Sequence, residues 1–363
     1  MITADIGITF ADHRPIDKSL FANGIAQNAI FLYDLLHALG HNVFFLTGKP
    51  QPRNTMLIKA KSYQTFSYGE IMEGKLPLAL LLEVGTVTTP DARRAFRHQT
   101  GTKIVTVQYG HAMIHDMERL FYPMNMGEAV RLKEPDYVWA SPHFENSFSY
   151  LEMLYSAPIR TAPFIWDSKF MGKPFGKKDH QPKPNINVME ANLSLMKNAL
   201  IPITIAETIC RKDPGQFNQM LINGSEKLAK NEYFKKNILA NMSWLSGHNK
   251  KILFGPRRDF EASFQKRDIL LSHQWGCELN YLYLEALHKN IPLVHNSPRF
   301  KEVGYYYEGF DAKEGARACK LAAQDKDITE YHRKAKRFIK QFASDNEANK
   351  QGYQALIEEA LAS

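Results

Sequence analysis

Short apolar runs, helical stripes and polar loops alternate along the whole chain. Asp5–Phe10 is an apolar run that predicts a strand, followed by a polar loop from Ala11 to Asn23. From Gly24 the residues Ile30, Phe31, Leu35, Leu36 and Leu39 recur at helical spacing, and Gly40 stops them. Asn42–Thr47 predicts the second strand. Leu78–Leu82, Lys103–Val107 and Tyr137–Ala140 predict three more, with a short basic helix over Asp91–Gln99 that Gly101 breaks. Strands alternating with helices up to about residue 160 predict one parallel-sheet domain with helices on both faces.

The pattern then restarts. Ile186–Met189 predicts a strand and Leu193–Ala206 a helix. Phe217–Leu228 reads as helical, Asn231–Asn241 as a basic amphipathic helix, and Lys251–Phe254 as a strand. Arg267 to Ser297 is the most organised stretch. The apolar run Ile269–Leu271 is followed by the loop His273–Gly276, a helical pattern over Cys277–Lys289, a second strand over Ile291–His295 and the breaker Asn296–Pro298. Strand, helix and strand within about 30 residues form a βαβ unit with a right-handed connection. Its loops fall beyond the carboxyl ends of parallel strands, where open α/β sheets bind ligands. Ala312–Asp325 and Ile328–Ala362 predict terminal helices, with Tyr331, Ala335, Phe338, Ile339 and Phe342 on one face of the latter.

Between the two halves, Pro163 to Pro184 has linker composition, with four prolines and a basic cluster. The expected organisation is an α/β fold of two Rossmann-like domains. An acceptor domain spans 1–165, a hinge 166–184 and a donor domain 185–328, and a helical tail spans 329–363.

Composition narrows the function classes. Apolar residues make up 44% and charged residues 23%, as in ordinary globular proteins. No apolar run approaches the ~20 residues that span a bilayer, so no integral membrane contact is expected. The start, MITADIGITF, lacks a signal-peptide pattern, and the three scattered cysteines suit a reduced setting; the expected location is cytoplasmic. A net charge of +8 favours a polyanionic partner, whether nucleic acid, an anionic membrane surface or a phosphorylated substrate, or else reflects a solvated lysine-rich surface. There is no P-loop, no H-E-x-x-H, no paired C-x-x-C, no G-x-G-x-x-G after the first strand and no D-x-D after a strand. Kinases, zinc hydrolases and NAD enzymes are thereby disfavoured.

The residues that can carry chemistry lie mostly in the second half. Arg257 and Arg258 follow a strand end and can grip a diphosphate through charge-assisted hydrogen bonds. His273 and Trp275 end one strand, and His295, Asn296 and Ser297 end the next; they offer stacking surfaces and hydrogen bonds. Glu278 and Glu285 are seven apart, about 20° short of two turns, so a continuous helix would project both from one face. Glu278 is expected in the first turn, where the helix dipole attracts anions, and Glu285 among leucines, well placed for ribose hydroxyls. In the first half, Asp12, His13 and Asp17 follow one strand, Glu83 another and His111 a third. Asp12, His13 and His111 lead as general bases or acceptor contacts.

Two α/β domains, a hinge, a helical tail and a carboxylate-bearing helix resemble the GT-B glycosyltransferases. The resemblance implies two domains facing a cleft, with the nucleotide sugar on the second and the acceptor on the first. It also implies a tail packing back on the first domain and no bound metal or other cofactor. That class often carries E-x7-E; here the spacing from Glu278 to Glu285 is one residue short. The chain is also similar, over nearly its full length, to an uncharacterised bacterial and phage family of predicted glycosyltransferases. The matching stretches are FANGIAQN, which includes Asn23 and Gly24, and the set Glu190, Asn192 and Lys197. LNYLYLEAL, which includes Asn280 and Tyr281, PLVHNS and GYYYEGFD complete them.

The expected function is transfer of a hexosyl or pentosyl group from a nucleotide diphosphate sugar to a hydroxyl. The acceptor is a surface glycan or other saccharide, or a hydroxymethylated pyrimidine in phage DNA. Two other classes fit the same architecture: a non-catalytic nucleic-acid-binding α/β protein and a sugar-nucleotide epimerase.

Overall fold

The structure is a computed structural model that describes residues 3–11, 20, 24–85, 88–122, 135–176, 183–248, 250–265, 267–325 and 328–362. The chain divides into two compact α/β units. One holds Met1–Phe170 with Gln341–Ser363, and the other Met171–Lys340.

In the first unit, eight strands are described: β1 (Asp5–Thr9), β2 (Asn42–Thr47), β3 (Thr55–Ile58), β4 (Lys61–Ser67), β5 (Leu80–Val84), β6 (Lys103–Gln108), β7 (Tyr137–Ala140) and β8 (Ile159–Thr161). Their order is β3-β4-β2-β1-β5-β6-β7-β8, and all pairs except β3–β4 are parallel. β1 is central. Its Ile8 sits between Phe45 and Leu82, all fully buried, so this strand has no solvent-facing side. Helix Gly24–Ala38 packs beside it. Helix Pro90–Thr100 is bounded as its sequence demands: the Thr89 hydroxyl accepts the Ala92 N–H at 3.2 Å, and Gly101 closes the far end at φ 66°.

In the second unit, six strands are described: β9 (Ile186–Val188), β10 (Met220–Ile222), β11 (Ile252–Phe254), β12 (Ile269–Leu271), β13 (Leu293–His295) and β14 (Tyr305–Tyr306). Their order is β11-β10-β9-β12-β13-β14, all parallel. This is the doubly wound arrangement, and its topological switch point lies between β9 and β12. Helices Leu200–Lys212 and Ala312–Gln324 cover one face, and Tyr281–His288 is the crossover between β12 and β13.

Several elements differ from the sequence reading. Phe217–Leu228 is not a helix: Met220–Ile222 forms β10 between β9 and β11, and only Glu226–Lys230 is helical. The three-residue apolar run there has no period that separates strand from helix. The helix expected over 193–206 begins at Leu200. Asn192 adopts a left-handed φ of 52°, and its side chain accepts the Ala199 N–H at 2.9 Å, which folds 192–199 into a loop. The tail is split. Ile328–Ile339 packs in the second unit, with Phe338 on Phe300. Glu347–Ala362 packs in the first, where the Tyr353 hydroxyl donates to Pro163 O at 2.9 Å.

Nor does the described part of the linker run free. Trp166 is buried in the first unit and donates its backbone N–H to Phe342 O at 2.7 Å. In the second unit, Lys289 Nζ donates to Lys173 O at 2.9 Å and lies over the Phe175 ring. Asn290 Nδ2 donates to Phe175 O at 3.0 Å. The division between units falls at Phe170–Met171.

Glu83, which closes β5, illustrates how the first unit uses charge. Its carboxylate accepts Thr88 Oγ1 at 2.5 Å, Arg93 Nε at 3.0 Å and Thr106 Oγ1 at 3.2 Å, and also pairs with Arg93 Nη2. Both charged side chains are buried. Glu83 is therefore a structural counter-ion and not the free base that its place after a strand suggested. Truncating one partner of a buried ion pair costs about 3–5 kcal/mol. Glu83→Ala should lower the unfolding free energy of this unit by that amount in urea denaturation. A loss below about 1 kcal/mol would show that the pair does not hold the β5–β6 edge.

Candidate donor site

The carboxyl ends of β9 to β14 gather the polar residues of the second unit. Glu190 follows β9 and is 2% exposed. It accepts the Ser272 hydroxyl across the switch point and also the backbone N–H of His273. Burial raises its pKa, while Lys197, Ser272 and that backbone donor oppose the rise. Ser272 Oγ lies 3.0 Å from the buried Tyr283 hydroxyl. The two strands flanking the switch point are thus tied by a desolvated carboxylate.

Lys197 stands beside this carboxylate. Burial pulls the pKa of its ammonium down, but Cys277 and Glu190 more than offset that, and the net displacement is upward. Arg257 acts on the same ammonium as a like charge. Arg257 Cβ lies 4.0 Å from where a Cβ on Gly224 would stand, so the arginine rises beside the β9 and β10 loops. Among the described residues, neither Arg257 nor Arg258 has an ion-pair partner. Two cations held near each other without a counter-ion for the arginine make a site for an anion.

The β12 loop is fastened at several points. Trp275 N donates to Met196 O at 2.9 Å, and Cys277 N to Gln274 Oε1 at 2.7 Å. Asn296 accepts Gln274 N at 2.9 Å and donates to Gln274 O at 2.8 Å and Gly309 O at 3.1 Å. Trp275 itself is 51% exposed, and Phe310, after β14, is also exposed. Both present ring surface at this edge of the sheet.

The sequence-predicted residues fall into distinct groups. Arg257, Lys197, Trp275 and His273 stand at the carboxyl edge of the sheet, and Arg258 follows Arg257 there as an exposed residue. His295, Asn296 and Ser297 are buried and hold loops together. The His295 ring is 2.9 Å from Val303 O and accepts Ser297 N at 3.1 Å, and the Ser297 hydroxyl donates to Glu278 O at 2.8 Å. Asn280 caps the helix, its side chain accepting Leu282 N at 3.2 Å. Tyr281 is buried in the first turn, and Glu285, 4% exposed, is buried in the second. Asn192 organises the loop after β9 and donates to Glu190 O at 2.8 Å.

Glu278 corrects one expectation. The helix begins at Tyr281, so Glu278 precedes it and shares no helix face with Glu285. Asn280 has extended φ/ψ and takes the cap position, which keeps 277–279 out of the helix. The Glu278 carboxylate pairs with Arg299 at 3.0 Å on the surface.

In the first unit, Asp12, His13, Asp17 and Asn23 lie outside the described residues, and Gly24 opens its helix. His111 ends the β6 loop, buried with its ring 5.2 Å from Phe144, and burial followed by the nearby His115 lowers its pKa. The sequence reading missed Cys277 beside Lys197 and the unshared arginine–lysine repulsion. Three strands separate Lys197 from Cys277 in sequence, so no spacing signals such a contact.

The chain belongs to the family described as a protein of unknown function, DUF2827, whose profile matches residues 6–357. A comparison with curated proteins gives no match. Solved structures do match in fold. A structure from E. coli described as trehalose-6-phosphate bound with UDP-2-fluoro glucose shares 11% identity over 99% of each chain, with a TM-score of 0.58. Anabaena HepE in complex with UDP-glucose shares 12% identity over 98% of this chain and 100% of that one, with a TM-score of 0.55. The pneumococcal O-GlcNAc transferase GtfA, in complex with UDP and GlcNAc, shares 12% identity over 85% of this chain, with a TM-score of 0.50. This chain spans 63% of the length of GtfA. The fold is the α/β fold of the GT-B glycosyltransferases, with a helical carboxyl-terminal region. Among the described residues no helix is long and apolar enough to cross a membrane.

Two tests follow from this geometry. Burial pushes the His273 and His295 imidazoles down to about 4. Both are neutral in the folded unit and gain a proton more readily when unfolded, near pH 6.5. Their contribution is therefore complete above about pH 6.5 and is lost as the pH falls toward about 4. Unfolding free energy measured against pH should drop across that window, and a flat profile there would contradict neutral burial. Separately, Asn296→Ala should cost about 1–3 kcal/mol, because it strips buried partners from Gln274 and Gly309. Glu278→Gln should cost about 1 kcal/mol or less, since its pair with Arg299 faces water. Equal losses in urea titrations would contradict the division between buried loop clamps and a surface pair.

Proposed function

We propose that the protein is a glycosyltransferase that takes its donor, a nucleoside diphosphate sugar, at the carboxyl edge of the second unit. The observation that carries this reading is Arg257, which has no ion-pair partner among the described residues and rises beside the β9 and β10 loops at the switch point of a doubly wound parallel sheet, with Lys197 near it. A diphosphate supplies the counter-charge that the arginine lacks, and the arginine can bind it through two donors. The exposed rings of Trp275 and Phe310 offer faces for a base or a sugar. Several structures of the same fold were solved with UDP or UDP-glucose, which supports a donor of this kind.

In the reaction, the bond between the sugar's anomeric carbon and the diphosphate oxygen breaks, and a bond to the acceptor oxygen forms. The nucleoside diphosphate leaves, and the acceptor's hydroxyl proton passes to a base or to the departing phosphate. Lys197 and Arg257 stabilise the charge that develops on that phosphate. Glu285 is the carboxylate assigned to donor hydroxyls, and Asp12, His13 and His111 are the groups assigned to the acceptor side. The group moved is a hexose or pentose. The acceptor is a saccharide, or a hydroxymethylated pyrimidine in DNA; the net charge of +8 suits a polyanion. No metal or other cofactor is needed by this scheme, and the setting is cytoplasmic.

The test is calorimetric binding of UDP-, ADP- and GDP-glucose, with Lys197→Ala and Arg257→Ala as variants. One nucleotide sugar should bind the wild-type protein, and each variant should bind it at least tenfold more weakly. Raising the salt should weaken the wild-type complex more than either variant complex. Absence of binding to any nucleotide sugar, with folded protein, would end this reading.

A further inference from the structure

We propose that Nε2 of His273 is the hydrogen-bond acceptor for a hydroxyl of the bound nucleotide sugar. This rests on the donor-site reading above and adds which part of the donor lies where.

The tautomer follows from the neighbours. The Tyr307 hydroxyl lies 3.2 Å from Ser272 O and 3.0 Å from His273 Nδ1. A backbone carbonyl only accepts, so both contacts are hydrogen bonds only when the phenol proton goes to Ser272 O. The phenol oxygen then accepts a proton from Nδ1. A neutral imidazole protonated on Nδ1 carries its lone pair on Nε2. The ring is 2% exposed, and among the described residues Nε2 has no partner. The neighbouring acceptors are used: Gln274 through its O and Oε1, and Asn296 through its Oδ1. A buried acceptor without a donor is costly, and His273 stands one residue beyond Ser272, whose hydroxyl crosses the switch point.

The chemistry of a lone pair selects the ligand group. Phosphate oxygens are acceptors and are excluded from Nε2; a sugar hydroxyl can donate to it. Arg257 follows β11, and Lys197, beside Glu190 and Cys277, reaches the loop after β12 that also carries His273. The hydroxyl-bearing part therefore lies next to the diphosphate, on its β12 side. The exposed Phe310 ring lies 4.7 Å from the imidazole, on solvent-facing surface that a ligand can reach.

The experiment has two parts. Nitrogen-15 NMR of the histidine side chains at pH 7 should show His273 protonated on Nδ1 and bare on Nε2. A proton on Nε2 would overturn the proposal whether or not a ligand is found. Binding of UDP-glucose and of UDP is then compared in wild-type protein, His273→Phe and His273→Gln, each checked for folding by its melting temperature. ADP- or GDP-glucose with its own diphosphate replaces this pair if it is the nucleotide sugar that binds. His273→Phe should bind the nucleotide sugar at least tenfold more weakly, and His273→Gln, whose amide oxygen stands near the position of Nε2, should recover part of that loss. A loss confined to the nucleotide sugar identifies a hydroxyl of the transferred sugar. An equal loss for the free diphosphate identifies a ribose hydroxyl. Unchanged affinity in His273→Phe means that Nε2 holds water only, and would overturn this inference while leaving the donor site intact. A folded wild-type protein that binds no nucleotide sugar would overturn the donor site itself.

Discussion

The buried carboxylate of Glu190 governs the second unit. It sits where the strand order reverses, and its hydrogen bond from Ser272 joins two strands 82 residues apart in sequence. An ionised carboxylate in that position is unfavourable unless charge and donors surround it. Lys197, the Ser272 hydroxyl and the His273 backbone supply them. Lys197 is therefore committed to the fold, and its charge is held by Glu190 and Cys277 more than it is opposed by Arg257. Arg257 has no such partner among the described residues, so the counter-charge still open at the switch point is the arginine's.

The loops around this point divide their polar groups into two kinds. Asn296, Ser297, His295 and Asn280 act on backbone, fixing where the β12 and β13 loops stand. Gly304 belongs with them. A Cβ there would stand 2.8 Å from Leu293 O, and its φ of 72° is one that other residues rarely adopt. With the backbone so held, the side chains that remain project from a rigid frame. Such a frame lowers the ordering entropy that ligand binding would otherwise cost.

Much of the fold was legible because parallel strands buried on both faces read as continuous apolar runs, as in Asn42–Thr47 and Lys103–Gln108. The misses have physical causes. The β3–β4 hairpin turns through Lys59 and Ala60, both at positive φ, where glycine or asparagine gives the usual signal. Met220–Ile222 is too short to show a period. Glu278 satisfied helical spacing, but an N-cap at Asn280 decided where the helix began, and capping is a competition between neighbouring residues that spacing alone does not rank. In the candidate site, the loop residues were visible as polar groups after strands. Their division into clamps and ligand-facing groups was not, because it depends on partners from other strands.

The same contrast explains why the first unit speaks less clearly. Its corresponding edge also ends strands with charged and polar residues, but the charges there are consumed locally. Glu83 is neutralised by Arg93 and two threonines, and Gln108 Nε2 donates to Gly110 O at 2.7 Å. His111 is an exception: it is buried against Phe144, and its Nδ1 has no partner among the described residues. A charge with its full set of partners stabilises a fold and gives a ligand little to gain. Among the described residues the second unit leaves Arg257 without a counter-ion at the same edge as an unpartnered His273 nitrogen, and it is this open charge beside an open acceptor, more than the number of polar residues, that marks an edge of a sheet as a place where something binds.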